Sequence, residues 1–479
     1  MAQKKQIRWY NIAFIAFTSV WGLNNVFNNF ANQGLVVITS WVLIMALYFI
    51  PYTLMVGQLG STFAHEGGGV SSWIRELTGP KVAYLASWTY WVVHIPYLAQ
   101  KPQMIIVGFS WLFQGNGNLV KDVPALTLQI LCLVIFLAFL WLASRGVTTI
   151  SNFSSIAGIA AFTMSMLFII LGIAAPFMTH LTIQTAHMNE LKTYIPKFDL
   201  NYFTTISMLV FAVGGSEKIA PYVNKTHNSG KEFPLGMICL AVMVTISAIL
   251  GSFALGLIFN AHKIPSDLMA NGAYYAFQIL GKYFHVGNLF VWMYAITNVL
   301  GSAAAMAISI DAPLRTLLAE GSSQYIPRKL LHQNKRHVFS NGYIMTGVLV
   351  SLLIIIPALG IKGMNDLYNW LLNLNSVVTP MRYLWVFVAF MALSRKFKQY
   401  QAEYTFVQNK QLGFTLGLWC FLFTAFACLL GMIPKINYAS DPHNWWFQLS
   451  LNIITPLVLL FLGLILPLIA RHQDQSINE

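Results

Sequence analysis

The chain has 479 residues, of which 57% are hydrophobic and only 9% charged, with a mean hydropathy of +0.63 and a formal net charge of +13. Soluble domains carry about 25% charged residues, and a water-borne fold of this length has no interior large enough for so much apolar surface, so most of the chain is solvated by lipid. Nucleic-acid binding would need the basic residues gathered on a soluble domain, and the sequence holds none.

The apolar pattern predicts about 12 spans of roughly 20 residues each, near 9–30, 36–58, 83–112, 124–143, 153–177, 201–223, 234–260, 284–318, 341–359, 366–394, 412–433 and 446–470. The expected fold class is therefore an all-α, multi-pass integral membrane protein in a single domain. With the N-terminus inside, about 19 Lys and Arg fall on the cytoplasmic side and about 7 outside, which satisfies the positive-inside rule and puts both termini in the cytoplasm. The clearest clusters are "KKQIR" (4–8), "RKLLHQNKR" (328–336) and "RKFK" (395–398). The first span lacks a small-residue cleavage site and reads as a retained helix, not a signal peptide. Cys132, Cys239, Cys420 and Cys428 all fall within predicted spans without a CxxC pair, and read as apolar filler. The longest polar connections are 178–200, 261–283 and 319–340; the second, with scattered apolar residues, is expected to hold a short interfacial helix.

Two spans are interrupted in the same way. The first reads "IAFTSVWGLNNVFNNF" (15–30) and the sixth "ISMLVFAVGGSEKIAP" (206–221). Glycine weakens a helix interior by about 1 kcal/mol relative to Ala, and Asn and Ser side chains compete with the helix ladder. A single Gly pair in a membrane helix is ordinarily a packing contact. Two polar-glycine clusters, at matching places if five-helix units are repeated, point instead to a transporter site. Breaking a helix in lipid frees N–H and C=O groups, which is tolerated only around protein or a water-filled cavity. The half-helix N-terminus at Gly22–Asn24 would offer N–H groups to a carboxylate. The C-termini near Thr18, Ser19, Phe211 and Gly214 would offer carbonyls to an ammonium, so the pair suits an amino acid.

These stretches, with "EGGGVSSWIRELTGP" (66–80) and "FAVGGSEKIAPYVNKTHNSGKEFP" (211–234), resemble the amino acid–polyamine–organocation superfamily of transporters over nearly the whole chain. "IRWYNIAFIAF", "NNFANQGL", "VGQLGSTF" and "ASWTYWVVHIPYLAQKPQ" are most similar to bacterial antiporters that accompany amino-acid decarboxylases, such as tyrosine–tyramine, histidine–histamine and agmatine–putrescine exchangers, near the glutamate–GABA group. The resemblance implies 12 transmembrane helices in a five-plus-five inverted repeat (units near 9–177 and 201–394, with broken helices one and six), two further helices near 412–470, alternating access, and a place in the bacterial plasma membrane. It implies that the substrate carboxylate meets N–H groups at Trp21, Gly22 and Leu23, with Asn24 beside them. The ammonium would meet carbonyls at Thr18, Ser19 and near Phe211, Gly214 and Gly215. Phe211 takes the place of a substrate-packing aromatic. Met306 in "GSAAAM" (301–306) stands where arginine exchangers carry a second aromatic, a departure that argues against an arginine site. Trp21 before Gly22 and Asn24–Asn25 after it depart from the small-residue turn of better-known members.

Ionisable residues within spans are functional candidates because burying them is costly. Glu217, just past the sixth-span break, is either a gating or coupling group or a helix cap. Lys218 is expected to snorkel. Asp311 is four residues before Arg315, the spacing of an ion pair. Lys101 has three candidate placements: a pair with Glu217, a pair with Asp311, or the interface. His94 reads as a satisfied polar residue, Asn373, Asn375 and Ser376 as pathway or cross-helix groups, and Arg382 as a gate or an anchor. No phosphate loop or metal-spaced cluster is present, so no cofactor is expected, and "EGGGVSSW" (66–73) reads as an inner gating turn. An enzyme, channel or receptor would need a catalytic set, a continuous polar pore or a large extramembrane domain. The reading is an amino acid/amine antiporter, with a proton-coupled amino acid or polyamine symporter as the alternative and a homodimer as a candidate assembly. Span five lacks the lysine that some members use in place of sodium.

Overall fold

A computed structural model describes residues 7–65, 69–145, 150–319, 324–334, 338–361 and 363–478; the side chains of Thr18, of residues 120–121, 150–158 and 319, and of 473–478 lie outside the description. Parts of "KKQIR", of "RKLLHQNKR" and of the turn "EGGGVSSW" (residues 66–68) also lie outside the described residues. In chain order the helices are α1 (Trp9–Val20), α2 (Leu23–Gln33), α3 (Val37–Ile44), α4 (Ile50–Thr62), α5 (Val70–Thr78), α6 (Pro80–Val92), α7 (His94–Phe113), α8 (Leu119–Asp122), α9 (Ala125–Ser144) and α10 (Ile150–Met178). They continue with α11 (Leu200–Val213), α12 (Ser229–Ile258), α13 (Leu268–Tyr283), α14 (Leu289–Ala319), α15 (Arg328–Leu331), α16 (Ser340–Ile355), α17 (Met364–Val378), α18 (Tyr383–Arg395), α19 (Lys410–Gly431) and α20 (Pro442–Asn478). Among the described residues there is no strand beyond one isolated bridge, Ile7 to Thr226.

Nine helical stretches are long and apolar enough to cross a membrane among the described residues. Lipid demands this: backbone groups with no water to bond must be satisfied within their own segment. The most apolar windows of Ala125–Ser144 and Pro442–His472 are only 28% buried, against 67% in Met364–Arg395. The first two stand at the periphery and the last at the centre. On α20, Leu457, Phe461, Leu464 and Leu468 form an exposed stripe at helical spacing, an apolar face suited to acyl chains.

The core is built where α7 lies along α14, α18 along α19, and α12 against both α1 and α4. The α1–α12 crossing is close because of Gly236: a Cβ there would stand 2.6 Å from Ile12 Cγ2 and 3.0 Å from the Trp9 carbonyl oxygen. The stretch 261–283 holds a helix, as expected, though not a short one. It forms the 16-residue α13, packed against α14 and α2, with Phe277 on Tyr294 (5.2 Å), and fastened to α7 where Trp111 Nε1 donates to Asn271 Oδ1 (2.7 Å) and the Trp111 ring stacks on Tyr274 at 5.2 Å. Cys132, Cys420 and Cys428 are buried thiols and Cys239 is half-buried.

Gly236→Leu should overpack the α1–α12 crossing, at a cost of about 1–3 kcal/mol. The expected result is a lower unfolding temperature of the detergent-solubilised protein; an unchanged temperature would show that the two helices can separate freely.

Candidate functional site

The first break is two residues long. Helix α1 stops at Val20, Trp21 (φ −112°, ψ 141°) and Gly22 (φ −143°, ψ 149°) are extended, and α2 starts at Leu23. The Trp21 ring is buried against Trp41 with centroids 5.6 Å apart, which pins the extended segment. A Cβ added to Gly22 would meet nothing within 4 Å, so the break opens on free space. Asn25 N donates to Gly22 O at 2.9 Å, and the N–H groups of Gly22, Leu23 and Asn24 have no hydrogen-bond partner among the described residues. These are the orphan donors of a helix start. One expectation is corrected: Trp21 N–H donates to Phe17 O at 2.7 Å as the last bond of α1, so it is not free for a ligand.

The second break follows α11. Gly214 is extended (φ −87°, ψ 161°), Gly215 is left-handed (φ +109°), and the chain continues as 3-10 turns over Ser216–Lys225. Gly215 needs its glycine for that backbone. Gly214 needs its own for space, because a Cβ would overlap the Tyr383 ring. The two breaks are tied together. Asn25 Nδ2 donates to Ala212 O (3.1 Å), Gln33 Nε2 to Thr205 Oγ1 (2.6 Å), and Lys218 Nζ to Ser19 O (3.4 Å). Asn24 Oδ1 accepts from Tyr294 OH at 2.6 Å, which fastens α2 to α14.

A third interruption was not apparent in the sequence reading. Pro380 lies in 3-10 turns, Thr379–Arg382, between α17 and α18. Proline removes a backbone donor and opposes a continuous α-helix. This turn sets Arg382 against the second break. Its Nε lies 2.9 Å from Glu217 Oε1, with both side chains no more than 2% exposed. That approach is off the line of a hydrogen bond, so the contact is an ion pair held by charge. Tyr52 OH donates to Glu217 Oε2, and Gly215 N donates to the same hydroxyl at 3.3 Å. The Arg382 guanidinium lies 5.1 Å from the Tyr383 ring centroid and 5.6 Å from that of Tyr90. His94 Nδ1 is 2.8 Å from Tyr90 O and its Nε2 is 3.4 Å from Arg382 Nη1, an arrangement that suits a neutral imidazole donating to the carbonyl and accepting from the guanidinium.

The other predicted residues divide into those near this junction and those elsewhere. Thr18 and Ser19 lie in the last turn of α1, and Ser19 Oγ donates back to Ile15 O at 2.8 Å. Phe211 is half-buried against a small apolar cluster of Met208, Ala270, Tyr368 and Leu372. Met306 is fully buried on α14. Lys101 pairs with neither Glu217 nor Asp311. Its ammonium lies 4.6 Å from the Tyr97 ring centroid and 3.5 Å from Met104 Sδ, because α7 directs it onto its own neighbours. Asp311 makes the expected pair with Arg315 (2.6 Å) and also accepts from Tyr343 OH. Lys218 does not snorkel; it turns inward to Ser19 O, with its Cε 3.4 Å from where a Gly215 Cβ would stand. Asn375 Nδ2 donates to Gln100 Oε1 at 2.8 Å, and the Ser376 and Ser207 hydroxyls are 3.1 Å apart. The Glu217–Arg382 pairing was missed although its signal was present: an arginine inside an apolar span needs a carboxylate, and Glu217 is the sixth span's own.

Helices broken at two facing points, with the freed backbone groups enclosed by protein, define a membrane transporter of small solutes. The chain matches the amino acid permease family over residues 7–460 and belongs to it, as a transport protein and not an enzyme. It is 57% identical over 98% of its length to the aspartate/glutamate permease AcaP of Lactococcus lactis subsp. cremoris, of which it covers 97%. It is 24% identical over 81% of its length to the inner membrane transporter YjeM of Salmonella typhimurium, of which 81% is covered. It is 22% identical over 87% of its length to the glutamate/gamma-aminobutyrate antiporter of Lactococcus lactis subsp. lactis, of which 82% is covered.

Removing one member of a buried ion pair strands the other, at about 3–5 kcal/mol. Arg382→Ala should therefore lower the unfolding temperature strongly, whereas the double variant Arg382→Met/Glu217→Gln should recover most of the loss. Equal destabilisation of single and double variants would mean that the two charges do not depend on each other.

Proposed function

We propose that the protein transports acidic amino acids, aspartate and glutamate, across the membrane by alternating access. The observation that carries this reading is the charge balance at the junction of the breaks. Among the described residues Glu217 is the one carboxylate there, and it is already paired with Arg382. The Lys218 stem and the Arg382 guanidinium both lie against Gly215, Cε 3.4 Å and Nη2 3.5 Å from where a Gly215 Cβ would stand, so two cations gather around one carboxylate. The junction therefore has surplus positive charge, which suits a ligand with two carboxylates and one ammonium, and opposes a dicationic amine such as putrescine. The relative named as an aspartate/glutamate permease supports the same substrate class.

In this reading the α-carboxylate bonds the free N–H groups of Gly22 and Leu23 at the positive end of α2. The α-ammonium meets the terminal carbonyls of α1 and α11, and Phe211 packs on the substrate. Twelve crossings form a five-plus-five inverted repeat over 9–177 and 201–394, with two added helices near 412–470. The basic loops keep both termini in the cytoplasm. A second reading, exchange of an amino acid for its decarboxylated amine, is favoured by the relative named as a glutamate/gamma-aminobutyrate antiporter. That pair is compatible with the charge balance because the amine keeps its distal carboxylate.

Proteoliposomes should accumulate labelled aspartate and glutamate, with each inhibiting the other and with arginine and tyrosine inhibiting neither. Inhibition by arginine or putrescine as strong as by glutamate would overturn the acidic-substrate reading. Comparing empty vesicles with vesicles loaded with gamma-aminobutyrate, at zero membrane potential and equal pH, separates the two modes. Obligatory exchange requires uptake only into loaded vesicles; equal uptake in both eliminates it.

A further inference from the structure

Lys218 stands out among the cations of the junction. Arg382 is committed to Glu217 at 2.9 Å and is enclosed by Tyr90 and Tyr383, with 2% exposure. Lys101 rests on the Tyr97 ring and Met104 Sδ. Lys218 has no carboxylate partner among the described residues, and the structure gives its ammonium a single long bond, 3.4 Å to Ser19 O. It is half-buried although its neighbours Glu217 and Ile219 are fully buried. The left-handed turn at Gly215 lets the lysine stem fold back towards α1, where a side chain on Gly215 would meet it.

We propose that Lys218 is the residue that selects acidic over neutral amino acids, by taking the substrate's side-chain carboxylate. This rests on the acidic-substrate reading above. In the empty site the ammonium is parked on the Ser19 carbonyl at the C-terminal end of α1, where the helix dipole favours a cation. A charge-assisted bond to a carboxylate is roughly twice as strong as one between neutral groups, so an arriving aspartate or glutamate draws Nζ off Ser19 O. That carbonyl is then free for the substrate's own α-ammonium. One ammonium replaces another at the end of α1, and the surplus positive charge of the junction is neutralised by the second carboxylate. Asparagine or glutamine, with no charge at that point, leaves Lys218 parked and the α1 carbonyl occupied.

The test is a selectivity ratio in proteoliposomes. Lys218→Gln should raise the KM for aspartate at least about tenfold, while the inhibition constants of asparagine and glutamine stay level or fall. Lys218→Arg should keep the preference for acids. If Lys218 were only a structural tie between the breaks, Lys218→Gln would weaken acids and amides in proportion, and that result overturns the proposal. As a second variant, Lys218→Cys should lose aspartate uptake and regain it when aminoethylation restores an ammonium at the sulfur, whereas methylthiolation should not restore it. Equal recovery with both reagents, or with neither, would also overturn it. Failure of wild-type protein to take up aspartate or glutamate would instead defeat the underlying substrate reading; intact wild-type uptake with an unchanged selectivity ratio in Lys218→Gln defeats only the role of Lys218.

Discussion

Everything at the centre of this protein depends on how charge is managed where water is scarce. Glu217 and Arg382 are both essentially inaccessible and 2.9 Å apart. Either charge alone would be prohibitively costly in an apolar surrounding, so each requires the other to stay in place. Their pairing joins the turn that follows α11 to the turn that separates α17 from α18. Tyr52 from α4 completes the set by donating to the same carboxylate. Three elements far apart in sequence are thus held at one point, and that point lies beside both helix breaks.

The breaks themselves are held by amides. Asn25 donates to the Ala212 carbonyl and Gln33 to the Thr205 hydroxyl, so α2 and α11 are bonded at two levels along their length. Below the breaks, α1 packs against the turn after α11, and Lys218 adds a long hydrogen bond to Ser19 O. The near-surface segment adds its own tie: Arg8 and His227 both reach Glu232 at 2.8 Å, and Ile7 N donates to Lys225 O at 3.0 Å. The broken pair therefore has firm connections at its two ends and a weak one beside the open space. Such a distribution places the easily exchanged bond where a ligand would compete for it, while the remaining bonds preserve the arrangement of the halves.

Membership in the amino acid permease family and the charge balance at the junction bear on different questions. The family sets the general task, movement of an amino acid through a bilayer. The balance bears on which amino acid. An excess of fixed positive charge penalises a cationic ligand and rewards an anionic one, because a low local dielectric strengthens both effects. Lys218, an inward-facing ammonium beside the Arg382–Glu217 pair, adds to that excess.

Much was legible without coordinates because lipid imposes strong rules on composition. Long apolar runs in a chain with few charges dictate spanning helices, and two polar-glycine clusters at matching places in such runs outweigh the packing role that one Gly pair would have, so the breaks at Trp21–Gly22 and Gly214–Gly215 could be read from residue type and position. Asp311 and Arg315 could likewise be paired in advance, since one helix turn separates them. What the sequence could not settle was every contact that joins distant segments. Lys101 turned to its own helix neighbours, Lys218 turned inward, and Arg382 found Glu217, because the direction of a side chain around a helix axis and the identity of the helix it meets depend on how the bundle packs. The burial of α13 has the same origin: its apolar residues are scattered too evenly to mark a span, and packing against α14, α2 and Trp111 of α7 draws it into the core. Local chemistry decides where a helix must form or break; the three-dimensional arrangement alone decides which charges, amides and rings meet.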